Sequence, residues 1–453
     1  MNKTQIRKLK SWDKRYLWHP FTQMQDWIKE DPLIIDSAKG SKLKDISGKT
    51  YIDGISSLWV NVHGHGVAEI DHALRVQLRK LAHSTLLGLG NTASILLAKK
   101  IIQIAPKGLS KVFYSDNGST ACEIALKMAY QYWQQSEKKS KRKYFITFSE
   151  AYHGDTVGSV SLGGIDLFHQ IYKPMLFPVI RLPSPALVDC DGSASTLIKR
   201  IKGVLKKRNH EIIGIFMEPL IQGAAGMLTH PIGFLKEIRE LCDQYGVLLI
   251  LDEVATGFGR TGTMFACEQE SVSPDIMAIA KGLSGGYLPI AATITTDKVF
   301  QAFLGEYADK KTFFHGHTYT GNPLACTAAI ASIDLFKKKN ILQKLKPKIK
   351  WMRDGLKSFH RIPIVGDIRQ CGFMVGIELV KTPGVSFAWE ERIGHRVILE
   401  ARKRGAILRP LGNVVVIMPP LGIELKELRR LLRIVYESIQ KVELEIKGGP
   451  GRS

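Results

Sequence analysis

Asp252 and Lys281 are the side chains whose types and settings point most directly to chemistry. Val247 to Leu251 is a short, wholly apolar run that reads as a buried strand. It ends in Asp252-Glu253 and passes into a glycine-rich turn, Ala255-Thr256-Gly257-Phe258-Gly259-Arg260-Thr261-Gly262. A second apolar run, Ile276 to Ala280, delivers Lys281 into another permissive loop, Gly282-Leu283-Ser284-Gly285-Gly286. A carboxylate at one strand end and a primary amine at the next would suit pyridoxal 5′-phosphate (PLP). That cofactor needs a lysine amine for a Schiff base and an acid to keep its pyridine nitrogen protonated as an electron sink. Taken singly, each residue has an ordinary explanation as well: an aspartate capping a turn, a lysine facing water.

The elements that must position these groups are strands alternating with helices from about residue 76 onward, which predicts an α/β domain with a mainly parallel sheet. Val112-Phe113-Tyr114-Ser115 reads as a strand running into Asp116-Asn117-Gly118-Ser119-Thr120. A helix follows, with apolar positions at Ala121, Ile124, Ala125, Met128 and Tyr132. Backbone N–H groups at such a helix start, with the Ser119 and Thr120 hydroxyls, can hold a phosphate. N-capping is the rival reading of the same residues, and the presence of Lys281 favours the phosphate.

Tyr144 to Phe148 is the next strand, followed by Glu150-Ala151-Tyr152-His153-Gly154-Asp155-Thr156. An aromatic at the carboxyl edge of a sheet can lie against a planar ring, and a nearby aspartate can anchor it. Ile212 to Met217 and Pro289 to Thr295 read as further strands. Phe313 to Pro323 is too polar and turn-rich for core.

The first 75 residues are mixed. Trp18-His19-Pro20-Phe21-Thr22-Gln23-Met24 is broken by proline and is not a regular helix. Leu33 to Asp36 and Tyr51 to Asp53 read as short strands with Gly48 in the turn between them. The segment Gly54 to Gly66 reads as a loop whose His63 and His65 lack a third ligand at metal spacing. After about 330 comes a lysine-rich helical region, then strands near Phe373 to Leu379 and Val414 to Met418, with Arg409-Pro410-Leu411-Gly412 before the last. The tail from Lys447 to Ser453 reads as disordered.

With 453 residues, 45% apolar and 23% charged, the chain has ample material for a large core. No apolar run reaches the roughly 18 residues of a membrane span. The start, Met1 to Lys8, lacks the apolar centre of a signal peptide, which gives a cytoplasmic reading. Six cysteines, Cys122, Cys190, Cys242, Cys267, Cys326 and Cys371, are scattered without a CxxC pair and read as small buried residues. A net charge of +22 raises the question of nucleic acid. The cations are spread along the chain, with local runs at Lys138 to Lys143 and Lys337 to Lys339, and no nucleic-acid-binding pattern accompanies them. The Lys138 to Lys143 run, between a helix and a strand, reads as a solvated loop.

Together, LILDEVATGFGRTG and DIMAIAKGLSGGYLP resemble the signature of the class III (ω-) aminotransferases. HPFTQM, DGISSLWVNVHGH, FYSDNGSTACEIALK, YHGD, EPLIQGAAGM, FFHGHTYTGNPLAC and LRPLGNVVVIMPP extend the resemblance over most of the chain. Within that family they resemble the biotin-pathway branch that aminates 8-amino-7-oxononanoate (KAPA) to 7,8-diaminononanoate. The resemblance implies fold type I of the PLP-dependent transferases: a large cofactor domain, residues 76–330, and a small α+β domain assembled from residues 1–75 and 331–453. It also implies a homodimer with each active site at the subunit interface.

By the same resemblance, Lys281 is the Schiff-base lysine and proton shuttle, Asp252 the pyridinium partner, and Tyr152 the residue packed on the ring. Gly118 and Ser119 form a phosphate-binding pair. His317 and Thr318 complete the phosphate cup, with Thr318 reaching in from the neighbouring subunit. Gly316 and Arg409 are substrate contacts; an arginine suits a long keto acid whose remote carboxylate needs a bidentate cation, while a structural ion pair is the other reading of Arg409.

Two positions depart from the pattern. Members that use S-adenosylmethionine (SAM) as amino donor carry tyrosine where this chain has Phe21, and paired tryptophans where it has Leu58-Trp59. Losing a hydroxyl and an indole weakens recognition of an adenine ring and a sulfonium, so L-lysine becomes a credible donor beside SAM. The expectation is a ping-pong transamination of KAPA. The rivals are a class III enzyme acting on ornithine or 4-aminobutyrate, and a basic binding protein without turnover.

Overall fold

Two apolar runs, Ile212–Met217 and Leu248–Asp252, are buried at every position in the computed structural model of the protein. The structure describes residues 1–187 and 193–448. Such runs form the middle of a sheet covered on both faces. Leu249 and Leu251 pack into one apolar cluster with Phe234 and Ile238 of the helix Phe234–Tyr245, while Leu248 and Ile250 pack into another with Ala121, Ile124 and Ala125. The period of two along the strand thus feeds helices on both sides.

The sheet has seven strands in the order Leu109–Ser115, Ala291–Thr296, Ile276–Ile279, Leu248–Asp252, Ile212–Met217, Tyr144–Phe148 and Ile180–Leu182. Six of them run in one direction; Ala291–Thr296 alone is reversed, antiparallel to both its neighbours. Asp252 is paired with Ala278 at the carboxyl edge, so the chain leaving each strand carries Asp252 and Lys281 out on the same side. The expected mainly parallel α/β architecture is what the chain forms.

Strands from the two ends of the sequence meet in a second sheet. Ile35–Lys39, Lys42–Asp45 and Thr50–Asp53 form an antiparallel meander, and Ala406–Ile407 pairs parallel with Ile52 and Asp53. A third, antiparallel sheet holds Val365–Cys371, Met374–Thr382, Val385–Ser386, Arg409–Leu411 and Val414–Ile417. Residue 330 falls inside the helix Pro323–Lys338.

The structure departs from the sequence expectations at several places. A helix, Lys3–Tyr16, opens the chain; its Ile6, Leu9, Trp12 and Tyr16 recur at helical spacing, a pattern the sequence reading passed over, and none of its residues is buried. The first strand is Ile35–Lys39 rather than Leu33 to Asp36, and Lys42–Asp45 adds another before the Gly48 turn. Ile35–Lys39 is a mostly exposed edge strand with little alternation, while Lys42–Asp45, inside the sheet, alternates exposed and buried positions over only four residues. Arg142 is not part of a solvated run. It is buried, its guanidinium 3.8 Å from the Trp133 ring centroid, and it donates to the Asn209 and Ile212 carbonyls at 2.7 Å each. Cys122, Cys242, Cys267 and Cys326 are buried and Cys371 is half-buried, all as free thiols. Cys190 and residues 449–453 of the tail lie outside the described residues.

The Gly54–Gly66 segment contains a local conformation that nothing in its composition announces. Ser56, Ser57, Leu58 and Trp59 all have positive φ, at 51°, 47°, 72° and 69°. Each such residue costs roughly 1–2 kcal/mol, so the turn persists only because its surroundings fix it. The buried Asp53 carboxylate accepts from the Ser57 amide at 2.9 Å and the Ser57 hydroxyl at 2.8 Å. His65 Nε2 lies 2.9 Å from the same carboxylate, and the Ser56 hydroxyl donates to the Met418 carbonyl at 2.7 Å. His63 Nε2 is 3.0 Å from the Ser332 hydroxyl. The two histidines are therefore hydrogen-bonded packing residues.

Candidate active site

A cavity of about 560 Å³ opens at the carboxyl edge of the large sheet, and both Asp252 and Lys281 line it. Asp252 is nearly buried. One of its oxygens accepts from the Val254 amide at 3.0 Å, and the other lies 2.7 Å from His153 Nδ1. An ionised carboxylate can only accept, so Nδ1 carries the proton in that contact. His153 is itself buried with its ring edge on Phe216, and its Nε2 has no partner among the described residues. Glu253, one residue on, points the other way, as strand alternation requires. It accepts from Thr256 Oγ1 at 2.5 Å and the Cys267 amide at 2.9 Å, and belongs to the core.

Lys281 sits at φ 42°, a left-handed position for a side chain that must leave a strand abruptly. Loss of solvation lowers the pKa of its ammonium, with the charges of Asp252 and Glu218 working the other way. Its Nζ lies 4.9 Å from the Trp59 ring centroid, so the strained turn presents an indole face to the amine. Cys122, His153 and Asp252 form a trio with ligand-type atoms within 4.8 Å of one another. Burial, and then the Asp252 charge, hold the Cys122 thiol well above its usual range. A neutral thiol is a poor metal ligand.

The other end of the cavity is a polar cradle. The helix Gly118–Ser136 starts there, and its first amides have no intrahelical acceptors. Asn117 takes the Thr120 amide at 3.0 Å, leaving Gly118 and Ser119 on the cavity wall. A Cβ on Gly118 would come within 2.5 Å of Val254. One on Gly154, at φ 117°, would meet the Ser119 hydroxyl at 2.2 Å. Both loops therefore approach the cavity as bare backbone. Ser119 Oγ is 2.9 Å from Thr156 Oγ1, which donates in turn to Glu123 at 2.9 Å. Free amides at a long helix start, a carboxylate opposite, and a desolvated amine between them fit PLP in phosphate, ring nitrogen and carbonyl respectively.

Tyr152 lies on the cavity wall with its hydroxyl donating to Asp155 at 2.9 Å. Phe21, Leu58, Trp59, Phe168 and Leu411 supply apolar walls. Arg409 projects from the Arg409–Leu411 strand with its guanidinium 5.7 Å from the Phe21 ring centroid. It makes no ion pair within the described residues, and burial lowers its pKa. The ion-pair reading of Arg409 is thereby set aside. Gly316, His317 and Thr318 do not line this cavity within the single chain. His317 is half-buried, 3.9 Å from Asp116, while Gly316 and Thr318 are exposed.

Sequence reasoning missed three buried groups. His153 was visible only as a neighbour of Tyr152. Arg260, inside the GFGRTG turn, is 1% exposed and donates to the carbonyls of Trp59 at 3.3 Å, Asn61 at 3.0 Å and Pro419 at 2.8 Å. Glu218, closing the Ile212–Met217 strand, accepts from the Gly223 amide at 2.9 Å and the Tyr152 amide at 3.3 Å.

Burial raises the Glu218 carboxyl to about 7, against the charge of His153. A raised carboxyl binds its proton more tightly in the folded chain than in the unfolded one. Its contribution is fully present below about 4.5 and is lost as pH rises through about 7. Glu218→Gln is therefore expected to hold its melting temperature better than the parent as pH goes from 5 to 8. Parallel melting curves for the two proteins over that range would contradict this.

Comparison with known proteins agrees with this geometry. The family model described as aminotransferase class-III matches residues 24–439. A curated relative from Geobacter sulfurreducens, an adenosylmethionine-8-amino-7-oxononanoate aminotransferase, is 51% identical over 96% of this chain and 98% of its own. The crystal structure of an adenosylmethionine-8-amino-7-oxononanoate aminotransferase from Methanocaldococcus jannaschii superposes with a TM-score of 0.92 at 44% identity, covering 96% of this chain and 99% of that one. An amine transaminase from an uncultivated Pseudomonas species, solved in its PLP-bound form, superposes at 0.89 with 29% identity over 94% of this chain and 99% of its own. The chain belongs to the class III aminotransferases, PLP-dependent enzymes that move an amino group between small molecules.

Proposed function

We propose that this aminotransferase converts KAPA to 7,8-diaminononanoate, taking the amino group from SAM, as the names of its relatives suggest, or from L-lysine. Arg409 is the observation that carries the substrate assignment. A half-buried guanidinium with no acid partner among the described residues, beside the apolar walls of Phe21, Leu58 and Trp59, suits a long aliphatic keto acid with a remote carboxylate.

When bound, PLP supplies a carbonyl that condenses with amines and a protonated pyridine ring that draws electrons from the substrate. In the proposed roles, Asp252 holds the proton on the ring nitrogen, and His153 fixes that carboxylate by donating to it. Lys281 lifts the proton from the carbon bearing the substrate amine and returns it to the carbon that receives the nitrogen. The first turn of the Gly118–Ser136 helix holds the phosphate through the amides of Gly118 and Ser119. Tyr152, anchored by Asp155, keeps the ring in place. Trp59 excludes water from the amine of Lys281.

The site is shared between two copies of the chain in this reading. Leu87, Leu89, Ile95, Phe314 and Tyr319 are large apolar side chains left exposed around Gly316, His317 and Thr318. They offer a face for a second copy, from which Thr318 would reach the phosphate. Thr318→Ala is expected to weaken PLP retention by about tenfold, the worth of one hydrogen bond to a charged acceptor, without dissociating the dimer. Unchanged retention on dialysis would remove Thr318 from the site.

The function is tested by half-reactions on PLP-loaded protein. SAM or L-lysine is added alone and the visible absorbance followed, and KAPA is then supplied and diaminononanoate measured. Conversion by either donor with product from KAPA is the expected result. Conversion by ornithine or 4-aminobutyrate, with KAPA inert, would give the enzyme to the other branch of the family.

A further inference from the structure

Two acids, Asp252 and Glu218, stand side by side on the cavity wall at the carboxyl edge of the large sheet. Leu251 is in register with Met217 across the parallel pair, so the two acids leave adjacent strands at one level, a strand spacing of about 4.8 Å apart at the backbone. We propose that Glu218 stands there as a neutral carboxylic acid and donates a hydrogen bond to the ring hydroxyl oxygen of the bound cofactor. The proposal rests on the placing of ring and phosphate given above, and adds the residue that recognises the remaining polar group of the ring.

The direction of the ring follows from the sheet order. PLP has two edges between its ring nitrogen and the carbon that meets an amine. One edge carries the phosphate arm; the other carries a methyl and, next to the reacting carbon, the hydroxyl. The nitrogen lies at Asp252 and the reacting carbon at Lys281, so the phosphate decides which edge faces which way. Gly118 and Ser119 follow the strand Leu109–Ser115, three places from Leu248–Asp252 in the sheet. Glu218 follows Ile212–Met217, the neighbour on the opposite side. The hydroxyl edge therefore faces Glu218. A Cβ on Gly223 would lie 3.5 Å from the Trp59 ring and 3.8 Å from Glu218 Oε1. The carboxyl thus reaches the same indole that lies 4.9 Å from the Lys281 amine, which is where the hydroxyl, neighbour of the reacting carbon, belongs.

The protonation follows from the surroundings. Glu218 is nearly buried, and its oxygens accept one amide each, from Gly223 and Tyr152. Each oxygen keeps a second acceptor position, so the acid has room for a proton without giving up either bond. The titratable groups that face it are Asp252, His153, Tyr152, Lys281 and Cys122. Burial pushes the Glu218 carboxyl up to about 7; the charge of His153 opposes this and that of Asp252 adds to it. An ionised carboxylate would repel the negative charge that the ring oxygen carries. A neutral acid donates to it.

The test titrates the cofactor-stripped protein with PLP and with 3-deoxypyridoxal 5′-phosphate, which lacks only the ring hydroxyl. The parent is compared with its Glu218→Leu, Glu218→Gln and Asp252→Asn variants, and binding is followed by tryptophan fluorescence. Glu218→Leu is expected to weaken PLP about tenfold and to leave the deoxy analogue within about twofold of the parent. Glu218→Gln keeps an N–H donor and should recover most of that loss. In the parent, the preference for PLP over the analogue should fall as pH rises through about 7, because binding that needs the acid form is lost when the acid ionises. In the glutamine variant the preference should stay level. Equal loss of both cofactors in the leucine variant, or loss of neither, overturns the proposal, as does a preference that glutamine leaves just as pH-dependent. Asp252→Asn should weaken both cofactors alike. If it weakens neither, the placing of the ring is wrong and the proposal falls with it; if it weakens both while Glu218→Leu does not discriminate between them, Glu218 alone is removed.

Discussion

Lys281→Ala is expected to slow amino transfer by ~10³-fold or more, the combined loss of a covalent anchor and a general base. No neighbour can take over. Tyr152 offers a hydroxyl on the cavity wall, but burial and then the Asp155 charge push its pKa up, and its proton is committed to Asp155. Glu218 already accepts from two backbone amides, and His153 is held behind Asp252. The defect should be in kcat rather than KM, since the walls that bind substrate are untouched. Small primary amines in the buffer should restore part of the rate, because the missing group is an amine in a cavity with room for one. Lys281→Arg should not rescue, since a guanidinium does not give up its proton. An alanine variant within tenfold of the parent in single-turnover experiments would remove Lys281 from the chemistry.

How much of this was legible in the sequence differs by element, for physical reasons. Asp252 and Lys281 end apolar runs that can only be buried strands, and parallel strands deliver their carboxyl ends to one edge. Their proximity follows from topology. The helix start at Gly118 is equally plain, because its capping residues and apolar face are local in sequence. His153 is different: its contact with Asp252 spans two strands, and no local pattern separates a buried histidine from an exposed one. The left-handed turn at Ser56–Trp59 is invisible for a stronger reason. Its sequence contains no glycine, and its stability comes from Asp53, Met418 and Arg260, all brought in by the fold. Gly316 to Thr318 have a local signal of turn and polarity, but a single chain does not bring them to the cavity.

Arg260 is where the cost of that turn is met, and its removal is expected to be the most damaging change outside the chemistry. The side chain is fully buried, and burial lowers its pKa to about 9, with only the Asp53 charge opposing. It persists because three carbonyls, from Trp59, Asn61 and Pro419, converge on it. Arg260→Met leaves all three without donors in the core. The expected destabilisation is about 4 kcal/mol or more, since each orphaned buried acceptor costs about 1–3 kcal/mol. Arg260→Lys should recover only part, because one ammonium cannot span three acceptors that a planar fork reaches. The functional consequence follows from the same geometry. With the Trp59 carbonyl released, the left-handed turn loses one of its ties and the indole leaves its place 4.9 Å from the Lys281 amine. Arg260→Met should therefore show a lower melting temperature, a changed near-ultraviolet tryptophan signal, and a fall in kcat at temperatures where it is still folded. A methionine variant that melts with the parent and turns over at the parent's rate would mean that Asp53 and the Ser56 contact hold the turn without Arg260.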